Sequence, residues 1–598
     1  MCGIAGILST DNDLDSALFR KRIEVMQRAL LHRGPDGHGT FIAPSGHAAL
    51  CHTRLAIIDL SEAGKQPMQS SCGRYAISFN GEIYNYKALR TELKRQGETF
   101  NSTTDTEVLL KLYQREGAKC VDKLRGMFAF LIWDEVEHTA FAARDPLGIK
   151  PLYYTHESKG KFGFSSELRS LVKAELAPSS ICPEGLSSYF LRGTVAEPNT
   201  LLKQIRLLPA GHHLAWSKGK VKVHRYWQPT FRSTPKTRDE SVKQTRSALE
   251  SSVRAHLVSD VPVGVFLSGG IDSSVLVALA SAQKNTQINT YSIAFESPEW
   301  NEGEIAKRVA NHFGTNHTEF LITPEIAQPL FDEFLSVIDQ PTIDGFNTFC
   351  VAKFARKHGE KVVLSGVGSD ELFAGYKSFC TLPTMLKWSN YLRYFAPFSN
   401  WINATLGKWL PSKLQRALDF LSKPGDMKAA HQSLRGIYSE IESQHLCELY
   451  NVTRTQKETT PLNVHSDSDA ISLLELTHYM RNQLLRDSDV MSMACGLELR
   501  VPFVDRELVE TLTDIPAAHR LEYGKRLLID AVPELPDWVV NRPKQGFRFP
   551  FDEWFSNDWQ KLTQRTQTPP WIKLTPWYKR WSLLVLDHWT DSHLKAKS

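Results

Sequence analysis

The N-terminal third of the chain carries short runs of apolar or alternating residues bounded by Gly, Asp or Pro, which is the pattern expected of β-strands. These runs predict strands at 3–9, 41–44, 47–59, 74–81, 127–134, 138–145 and 162–168. Helical periodicity interrupts the strands at 14–31, 86–95 and 107–116. Antiparallel sheets with helices outside suit this arrangement, so we predict an α+β domain in this part of the chain.

From about residue 240 strands and helices alternate, which is typical of an α/β domain with a doubly wound parallel sheet. The predicted strands are 263–267, 288–295, 317–322 and 361–366, and the predicted helices are 273–282, 302–312 and 325–338. Such a sheet binds ligands beyond the carboxyl ends of its strands, so the turns after 263–267 and 361–366 are the expected ligand loops. The polar, Pro-containing segment 230–241 predicts a linker between domains at 1–229 and 242–598.

The composition argues against several classes of partner and site. The 598 residues are 42% hydrophobic, and 71 basic against 66 acidic residues form no dense cationic block, so nucleic acid is not an expected partner. The nine cysteines form no C-x-x-C pair, which argues against a zinc site or a disulfide framework and favours a reducing compartment. No stretch approaches a membrane span and the N-terminus lacks a signal sequence, so we expect a cytoplasmic protein without a membrane partner.

Cys2 directly follows the initiator methionine, which is normally removed before so small a residue. The mature chain would then carry a thiol and a free α-amine on one residue. The amine, with a pKa of about 7.7–8.0, is able to take the thiol proton, so one residue supplies both nucleophile and base. Taken alone, a cysteine at position 2 is more often accidental than catalytic.

Six segments in order resemble the class II glutamine amidotransferases, whose glutaminase domain is an N-terminal-nucleophile hydrolase. They are CGIAG (2–6), HRGPDG (32–37), HTRLAIIDL (52–60), FNGEIYNY (79–86), TDTE (104–107) and RDPLGIKPLYY (144–154). The resemblance implies that Cys2 forms a γ-glutamyl thioester, with Asn80 and the Gly81 N–H as the oxyanion hole. An amide and an unencumbered backbone N–H are the preorganised donors that a tetrahedral oxyanion needs.

The same resemblance implies how the glutamine substrate is bound. Arg54 would pair with the α-carboxylate, for which a bidentate guanidinium is well suited. Asp105 would hold the α-ammonium group, with Glu82 assisting. Outside these motifs, Arg54 and Asp105 would be read as members of ordinary surface ion pairs.

Residues 261–280 read as an apolar strand, the turn Ser268-Gly269-Gly270-Ile271-Asp272-Ser273-Ser274 and an apolar helix. Glycines let a backbone approach phosphates, and a helix N-terminus favours anions. A bare Gly-Gly turn would not be specific, but the SGGIDSS run resembles the pyrophosphate loop of N-type ATP pyrophosphatases, which release AMP and pyrophosphate. The nucleotide contacts implied by this resemblance begin at Leu267 and include Ser268, Gly269, Gly270, Asp272, Ser273 and Ser274.

A second motif, LSGVGSDELFAGY (364–376), together with 486–505 and 524–532, extends the resemblance to the asparagine synthetases over roughly residues 1–555. It implies that Lys525 stabilises charge on the reacting phosphate, although a solvated helix lysine is the alternative. Mg²⁺ would be held by Asp272 and Asp370, since this ion prefers carboxylate and phosphate oxygens. The further nucleotide contacts implied are Ser365, Gly366, Asp370 and Glu371.

The chain departs from the family at one position of that second motif. Asparagine synthetases typically have Gly-Glu-Gly-Ser-Asp there, and this chain has Val367 in place of the glutamate. Valine neither accepts a proton nor pairs with an ammonium group, so the acceptor need not be aspartate. Asp344 and Asn347 of DQPTIDGFNTF (339–349), with Val367 and Arg500, are the candidate acceptor-pocket residues. Two alternatives stay open: Asp-Gly is also a strong turn signal, and Arg500 is equally suited to a structural ion pair.

The predicted function is glutamine hydrolysis coupled to ATP-dependent adenylation of aspartate and formation of asparagine, AMP and pyrophosphate. The alternative is the same mechanism acting on another carboxylate, such as a sugar acid, a cell-wall peptide or a secondary metabolite. The partners are therefore glutamine, ATP with Mg²⁺ and a carboxylate, and a homodimer is one candidate assembly. A sugar-phosphate amidotransferase would not need the SGGIDSS loop, and a degenerate non-enzymatic relative is disfavoured by the intact set Cys2, Arg54, Asn80, Asp105, Asp272 and Lys525.

Overall fold

A computed structural model describes residues 2–594 of the chain apart from short gaps. Residues outside the description are 1, 13–16, 158–159, 284–286, 298, 300, 454–461, 463, 465, 544–548, 557–558, 560–567 and 595–598. The start of the helix predicted at 14–31 falls partly among them.

The N-terminal domain consists of two six-stranded antiparallel sheets, ordered β10-β8-β9-β1-β3-β2 and β12-β11-β7-β6-β5-β4. The strands are β1 (Gly3–Leu8), β2 (Gly37–Ile42), β3 (Ala48–Arg54), β4 (Met68–Gln69), β5 (Tyr75–Ile83), β6 (Gly126–Asp134), β7 (Thr139–Arg144), β8 (Tyr153–His156), β9 (Phe162–Ser165), β10 (Ile205–Leu207), β11 (His212–Ser217) and β12 (Lys220–Arg225). The helices are α1 (Ala17–Ala29), α2 (Tyr86–Arg95), α3 (Asp105–Glu116), α4 (Cys120–Lys123), α5 (Leu168–Lys173) and α6 (Pro183–Arg192).

Strand β1 shows why this domain is layered. Ile4 and Leu8 pack into the core between the two sheets, whereas Ala5 and Ile7 pack beneath α1 on the other face. Because side chains alternate across a strand, one strand that is buried on both faces needs a sheet on one side and helices on the other. The predicted antiparallel α+β domain with helices outside is confirmed.

The C-terminal domain is built on a parallel sheet ordered β15-β14-β13-β16-β17. Its strands are β13 (Val263–Phe266), β14 (Asn289–Phe295), β15 (Asn316–Ile322), β16 (Val362–Leu364) and β17 (Glu498–Arg500). The chain runs outward from β13 to β15 and then returns to the opposite side of β13, so the switch point lies between β13 and β16. The predicted doubly wound parallel sheet is confirmed, and β17 is a strand that the sequence pattern did not reveal.

Helices cover this sheet and form a further layer beyond it. They are α7 (Arg238–His256), α8 (Ile271–Gln283), α9 (Gly303–His312), α10 (Pro324–Val337), α11 (Phe346–Lys357), α12 (Ser369–Leu372), α13 (Ser378–Tyr391), α14 (Ala396–Leu406), α15 (Ser412–Leu421), α16 (Met427–Arg435), α17 (Glu440–Leu449), α18 (Asp467–Leu474), α19 (Arg486–Ala494), α20 (Arg506–Thr513), α21 (Ala517–Arg520), α22 (Arg526–Ala531), α23 (Asp537–Val540), α24 (Phe551–Ser556) and α25 (Trp577–His593), with a π-helical stretch at Glu475–Leu485. No helix of the described residues is long and apolar enough to cross a membrane.

Helix α7 begins inside the segment 230–241 where a linker was predicted. Thr237 accepts a hydrogen bond from Glu240 N–H, and the Glu240 carboxylate accepts from Thr237 N–H, which forms a capping box. The end of that segment is therefore the first turn of a helix.

The two domains meet across buried ion pairs. Arg33 lies 3.0 Å from Glu167 and 2.7 Å from Asp489, and Lys150 lies 3.2 Å from the same aspartate. None of these side chains is more than 1% exposed. Removing one partner would leave a buried charge uncompensated, so this network fixes how the domains fit together.

The tryptophans of the C-terminal tail have a structural role that the sequence did not disclose. In α25, Trp581 Nε1 donates to the carbonyl of Thr342 (3.1 Å), and Trp589 Nε1 donates to that of Asp339 (2.9 Å). The Trp581 ring also packs against Phe346. The tail thereby holds the segment 339–349 in place.

Candidate active sites

Cys2 lies at the head of β1, where neighbouring side chains fix the N-terminal backbone. Gly3 N–H donates to Thr53 Oγ1 (3.1 Å), and Ile4 N–H donates to Ser166 Oγ (3.0 Å). Cys2 itself is 8% exposed, and burial raises the pKa of its thiol. A buried thiol of raised pKa needs a base at hand, and an α-amine on the same residue would supply one.

The predicted oxyanion hole has the geometry of an anion receptor. Asn80 Oδ1 accepts from the backbone N–H of Cys2 (2.9 Å), while its buried Nδ2 has no hydrogen-bond partner among the described residues. Gly81 has a φ of 151°, and a Cβ there would lie 2.0 Å from the carbonyl oxygen of Met127. Only glycine fits this position, and an unpartnered buried donor indicates a site for a ligand oxygen.

The predicted glutamine-binding residues surround the same position. Arg54 ends β3, and its Nη1 donates to Ser61 O (2.8 Å). Asp105 opens α3, and its Oδ2 accepts from Ile83 N–H (2.9 Å). Burial, with a contribution from the nearby charge of Glu498, raises the pKa of Asp105 to about 6. Burial also raises the pKa of Glu82 well above its ordinary value.

Arg500, one of the predicted acceptor-pocket residues, is bonded to neighbouring protein groups. Its Nε donates to Glu498 Oε1 (2.5 Å), and its Nη1 donates to the carbonyls of His256 and Val258. Its Nη2 lies 3.8 Å from Glu82 Oε1, and the side chain is fully buried. Arg500 thus lies between the glutaminase residues and the parallel sheet and neutralises buried carboxylates there.

The SGGIDSS loop joins β13 to α8 at the switch point of the parallel sheet. Ser273 Oγ lies 3.2 Å from both Ser268 N–H and Gly270 O, so the turn is closed by its own serines. Gly269 has a φ of 75°, and a Cβ there would lie 2.6 Å from Ile305. Ser274 Oγ, buried in the first turn of α8, has no partner among the described residues. The turn leads directly into the N-terminus of α8, a position that favours an anion.

The second motif brings charged side chains to this loop. Lys525 Nζ lies 2.6 Å from Asp370 Oδ1 and also bonds Asp272 Oδ1, which in turn accepts from Ser369 Oγ at 2.7 Å. Burial opposes the charged form of Lys525, but the two aspartates dominate and raise its pKa. Lys525 has a left-handed φ of 62°, a strained conformation for a residue with a side chain. The helix lysine of the alternative interpretation is therefore a buried, doubly paired ammonium.

The neighbouring motif residues lie at the same edge of the sheet. Ser365 N–H donates to Arg500 O (2.8 Å) at the end of β16, and a Cβ on Gly366 would lie 2.9 Å from Asp272 Cβ. Burial and the charge of Asp370 raise the pKa of Glu371 to about 8. Leu267 is buried directly after β13, whereas Val367, in the turn after β16, is half-buried.

Mg²⁺ suits the two aspartates. Protein sites hold this ion through one or two carboxylates together with substrate phosphates. Asp272 and Asp370 supply that number, and each is partly exposed towards the phosphate loop. Among the described residues no group of three or more His, Cys, Asp or Glu side chains makes a metal site by itself. The residues present therefore fit a magnesium ion that is bound together with a nucleotide.

A cavity of about 310 Å³ lies against the segment 339–349. Of the four predicted acceptor-pocket residues, Asp344 and Asn347 line this cavity, whereas Val367 and Arg500 are not among its described lining residues. Asp344 Oδ1 also accepts from Gly345 N–H (2.8 Å), and this glycine has a φ of 94°. The Asp-Gly pair therefore forms a tight turn and also faces the cavity.

The other walls of the cavity were not identified from sequence. Aromatic side chains of the C-terminal region supply one wall, including Trp577 and Phe551. The opposite wall carries Arg435, whose guanidinium lies 4.2 Å from the rings of both Tyr376 and Tyr479. Tyr376 Oη in turn donates to Glu371 Oε1 (2.9 Å). One side-chain layer thus separates the cavity from the second nucleotide motif.

Arg192, the last residue of α6, enters the cavity from the N-terminal domain. Its Nε donates to Gln432 Oε1 (2.9 Å), and no carboxylate pairs with it among the described residues. Burial lowers the pKa of this guanidinium, and burial together with the charge of Arg192 lowers that of His478. Arg192 is half-buried, and a cation partly removed from water without an anionic partner is unfavourable, so the cavity is suited to an anionic group. No motif marks Arg192, and only its position reveals it.

Comparison with known proteins agrees with this architecture. A glutamine amidotransferase domain family matches residues 1–227, and the asparagine synthase family matches residues 244–584. The fold and these two family matches together define the chain as a glutamine-hydrolysing carbon–nitrogen ligase. Glutamine-hydrolysing asparagine synthetase 1 of Bacillus subtilis strain 168 is 34% identical over 99% of this chain and 94% of its own length. The chain belongs to the asparagine synthetase family.

Two further relatives indicate the breadth of the family. Asparagine synthetase B of Escherichia coli strain K12 is 34% identical over 64% of this chain and 66% of its own length. Amidase chry2 of Gibberella zeae is 27% identical over 93% of this chain and 90% of its own length. The asparagine synthetase family uses ATP, and the relative from Gibberella zeae is named an amidase rather than a synthetase.

Proposed function

We propose that this chain releases ammonia from glutamine at Cys2 and uses it to amidate a carboxylate that has been activated by ATP. The observation that carries the proposal is the convergence of Lys525, Asp272 and Asp370 at the switch point of the parallel sheet. A phosphate loop alone binds nucleotides, but a buried ammonium between two carboxylates is suited to charge that develops on a phosphate.

At the first site, the thiolate of Cys2 attacks the side-chain amide carbon of glutamine after the α-amine has taken its proton. The oxyanion that forms accepts hydrogen bonds from Asn80 Nδ2 and Gly81 N–H. The protonated α-amine returns that proton to the leaving nitrogen, ammonia departs as the C–N bond breaks, and water then hydrolyses the thioester to glutamate and the free thiol. Arg54 and Asp105 hold the α-carboxylate and α-ammonium groups of the substrate during these steps.

At the second site, the acceptor carboxylate attacks the α-phosphate of ATP and displaces pyrophosphate. Backbone N–H groups of residues 268–274 hold the phosphates, and Lys525 neutralises the charge that builds up on them. Magnesium, held by Asp272 and Asp370, would supply additional charge neutralisation. Ammonia then attacks the acyl carbon, which yields the amide and AMP.

Ammonia is mostly protonated near neutral pH and is then not a nucleophile, so a sequestered route between the two sites suits the chemistry. The buried boundary at Arg500 and Glu498 joins Glu82 of the first site to the strands of the second. We infer that ammonia crosses the protein near this boundary. A cytoplasmic location and a homodimer are consistent with the proposal.

Two acceptors are candidates. Aspartate, giving asparagine, is favoured by the names of the relatives. Another carboxylate is favoured by Val367 and by the cavity, because an unpaired Arg192 and an aromatic wall suit an acid that carries a ring and a second anionic group. Its volume of about 310 Å³ is within the range of sites that enclose ligands much larger than aspartate. A sugar acid that carries a phosphate meets both requirements.

The discriminating experiment uses purified, C-terminally tagged protein with ¹⁵N-amide glutamine and Mg-ATP. Aspartate and uronic acids with and without a phosphate group are supplied separately, and AMP and labelled amide are followed by mass spectrometry. Labelled asparagine with matching AMP would establish aspartate, whereas AMP only with a uronic acid would establish the second candidate. Cys2→Ala should abolish glutamine use and keep ammonium-dependent AMP formation. A Cys2→Ala variant that keeps both glutamine-dependent and ammonium-dependent AMP formation would refute the proposed chemistry.

The Arg192→Gln variant tests whether the cavity binds the acceptor. It is assayed with the acid that supports AMP formation in the wild-type enzyme. Loss of one charge-assisted hydrogen bond should raise KM for that acid by about tenfold to a hundredfold, with a smaller effect on kcat. Arg206→Gln, an exposed arginine in β10 of the same domain, is the matched control and should change neither constant. An unchanged KM in Arg192→Gln would exclude the cavity as the acceptor site and leave the amidotransferase chemistry intact.

A further inference from the structure

Exposed aromatic side chains of this protein are concentrated on the helical layer formed by α13, α14 and α15. Among the described residues, every exposed tryptophan and phenylalanine lies between positions 388 and 409. We call these residues and their exposed neighbours the aromatic face. Its exposed fractions are 63% for Trp388, 57% for Phe395, 54% for Phe398, 57% for Trp401 and 85% for Trp409.

The aromatic face is one side of a folded unit. Helical spacing of three residues places Phe398 beside Trp401, and their rings stack with centroids 5.7 Å apart. Leu382 and Leu386 of α13 and Phe420 of α15 are buried in a separate small core. Helix α14 is held to α15 by a hydrogen bond from Asn403 Nδ2 to Asp419 Oδ1 (2.6 Å), so none of these contacts involves the exposed aromatic residues.

Positive charge predominates in this layer. Residues 378–421, which span α13 to α15, contain five Lys or Arg residues and one acidic residue, Asp419. Lys387, Arg393, Lys408 and Lys413 are exposed among the aromatic residues. The whole chain has 71 basic and 66 acidic residues, so the imbalance is local to this face.

Apolar rings interspersed with cations match one type of partner. Tryptophan and tyrosine favour the boundary between water and lipid, and lysine and arginine are attracted to anionic headgroups. A symmetric dimer through this face would lay it against its own copy and bring like charges together. We propose that the aromatic face docks on the surface of an anionic phospholipid membrane.

Docking of the aromatic face would place the synthetase site close to the membrane surface. Helix α13 begins two residues after Tyr376, whose hydroxyl donates to Glu371 of the second nucleotide motif. Helix α16, which packs on α13, carries Arg435 of the cavity wall. Docking therefore holds the cavity in the layer next to the bilayer. The proposal does not depend on which acceptor is amidated.

The test is co-sedimentation of the full chain with vesicles of phosphatidylcholine alone or mixed equally with phosphatidylglycerol. Binding should be at least about tenfold stronger to the anionic vesicles and should weaken in high salt. Phe398→Ser with Trp401→Ser and Trp409→Ser should lose this binding. Leu321→Ser with Leu449→Ser, which changes exposed apolar residues elsewhere, is the matched control and should bind as the wild type does.

Circular dichroism melting of each variant shows whether it is folded, and light scattering reports its assembly. Wild-type protein that stays in the supernatant with anionic vesicles would overturn the proposal. So would a serine variant that binds as well as the wild type. A wild-type dimer that the serine variant converts to a monomer would assign the aromatic face to a second copy instead.

Discussion

Lys525 offers the sharpest test of the synthetase site, because its ammonium group joins both nucleotide motifs. Its Nζ bonds Asp272 and lies 2.6 Å from Asp370, and the side chain is only 5% exposed. Lys525→Met keeps the length and packing of the side chain and removes the charge. We expect the change to separate two effects, one on the chemistry and one on stability.

The magnitudes follow from the environment of the pair. Removing one preorganised donor to developing charge lowers the rate by roughly 10²–10³, so AMP formation should fall by that factor. Asp272 and Asp370 remain 25% and 18% exposed, so water reaches the carboxylates that are left behind. The loss of stability should therefore be about 1–3 kcal/mol, less than for a fully enclosed pair.

The assay is pyrophosphate release with ammonium chloride and saturating acceptor, which makes the measurement independent of Cys2. Lys423→Met is the matched control, since Lys423 makes an ion pair of 2.8 Å with Glu440 on the surface of the same domain. Glutaminase activity should persist in both variants. Lys525→Met with wild-type pyrophosphate release would refute the assignment of charge stabilisation to this residue.

Two further predictions concern Gly81 of the first site and Glu371 of the second nucleotide motif. Gly81→Ala should abolish glutaminase activity, because the new Cβ would lie 2.0 Å from Met127 O. The control Gly73→Ala, at a φ of 71° with open space around it, should retain activity at a cost of about 1 kcal/mol in stability, and an active Gly81→Ala enzyme would contradict the oxyanion geometry. Glu371 has a pKa of about 8 in the folded protein against an ordinary value of 4.5. As pH rises between these values the unfolded chain loses this proton first, so the free energy of unfolding should fall by up to about 1.4 kcal/mol per pH unit. Glu371→Gln should flatten that slope in urea unfolding at about pH 5 and about pH 8, and a slope equal to that of the wild type would exclude Glu371 as its source.

The long periodic elements of the fold were predictable from local sequence. The helix at Tyr86–Arg95 has the predicted limits, and the predicted strand 263–267 corresponds to Val263–Phe266. In both segments apolar spacing and flanking turn residues lead to the same assignment. Strand β17 was not predicted, because its three residues are too few to show a period and pair only with β16, which lies far away in the sequence.

The limits of the first helices show how contacts shift a boundary. Helix α3 begins at Asp105 rather than at 107, because Thr104 caps it by accepting from Glu107 N–H. The segment 230–241 was polar enough to indicate a linker, yet it supplies the start of α7. The capping box of Thr237 and Glu240 can be recognised in the sequence, so the start of α7 was predictable from it.

Sequence alone determined which short motifs stand where, and these motifs were enough to predict a type of chemistry. The N-terminal Cys2, the SGGIDSS turn and the Asn80-Gly81 pair each combine a few neighbouring residues, so they predict a nucleophile or an anion-binding loop before any tertiary contact is known.

Only the tertiary structure decided how those motifs combine with distant residues. Lys525 meets Asp272 across 253 positions of sequence, and Arg192 reaches its cavity from the other domain. For Arg500, which could serve as a ligand contact or as a structural ion-pair residue, the structure shows ion pairs with Glu498 and Glu82. Whether a charged side chain meets a partner, a ligand or water depends on the surfaces that enclose it, and these form only when remote segments pack together.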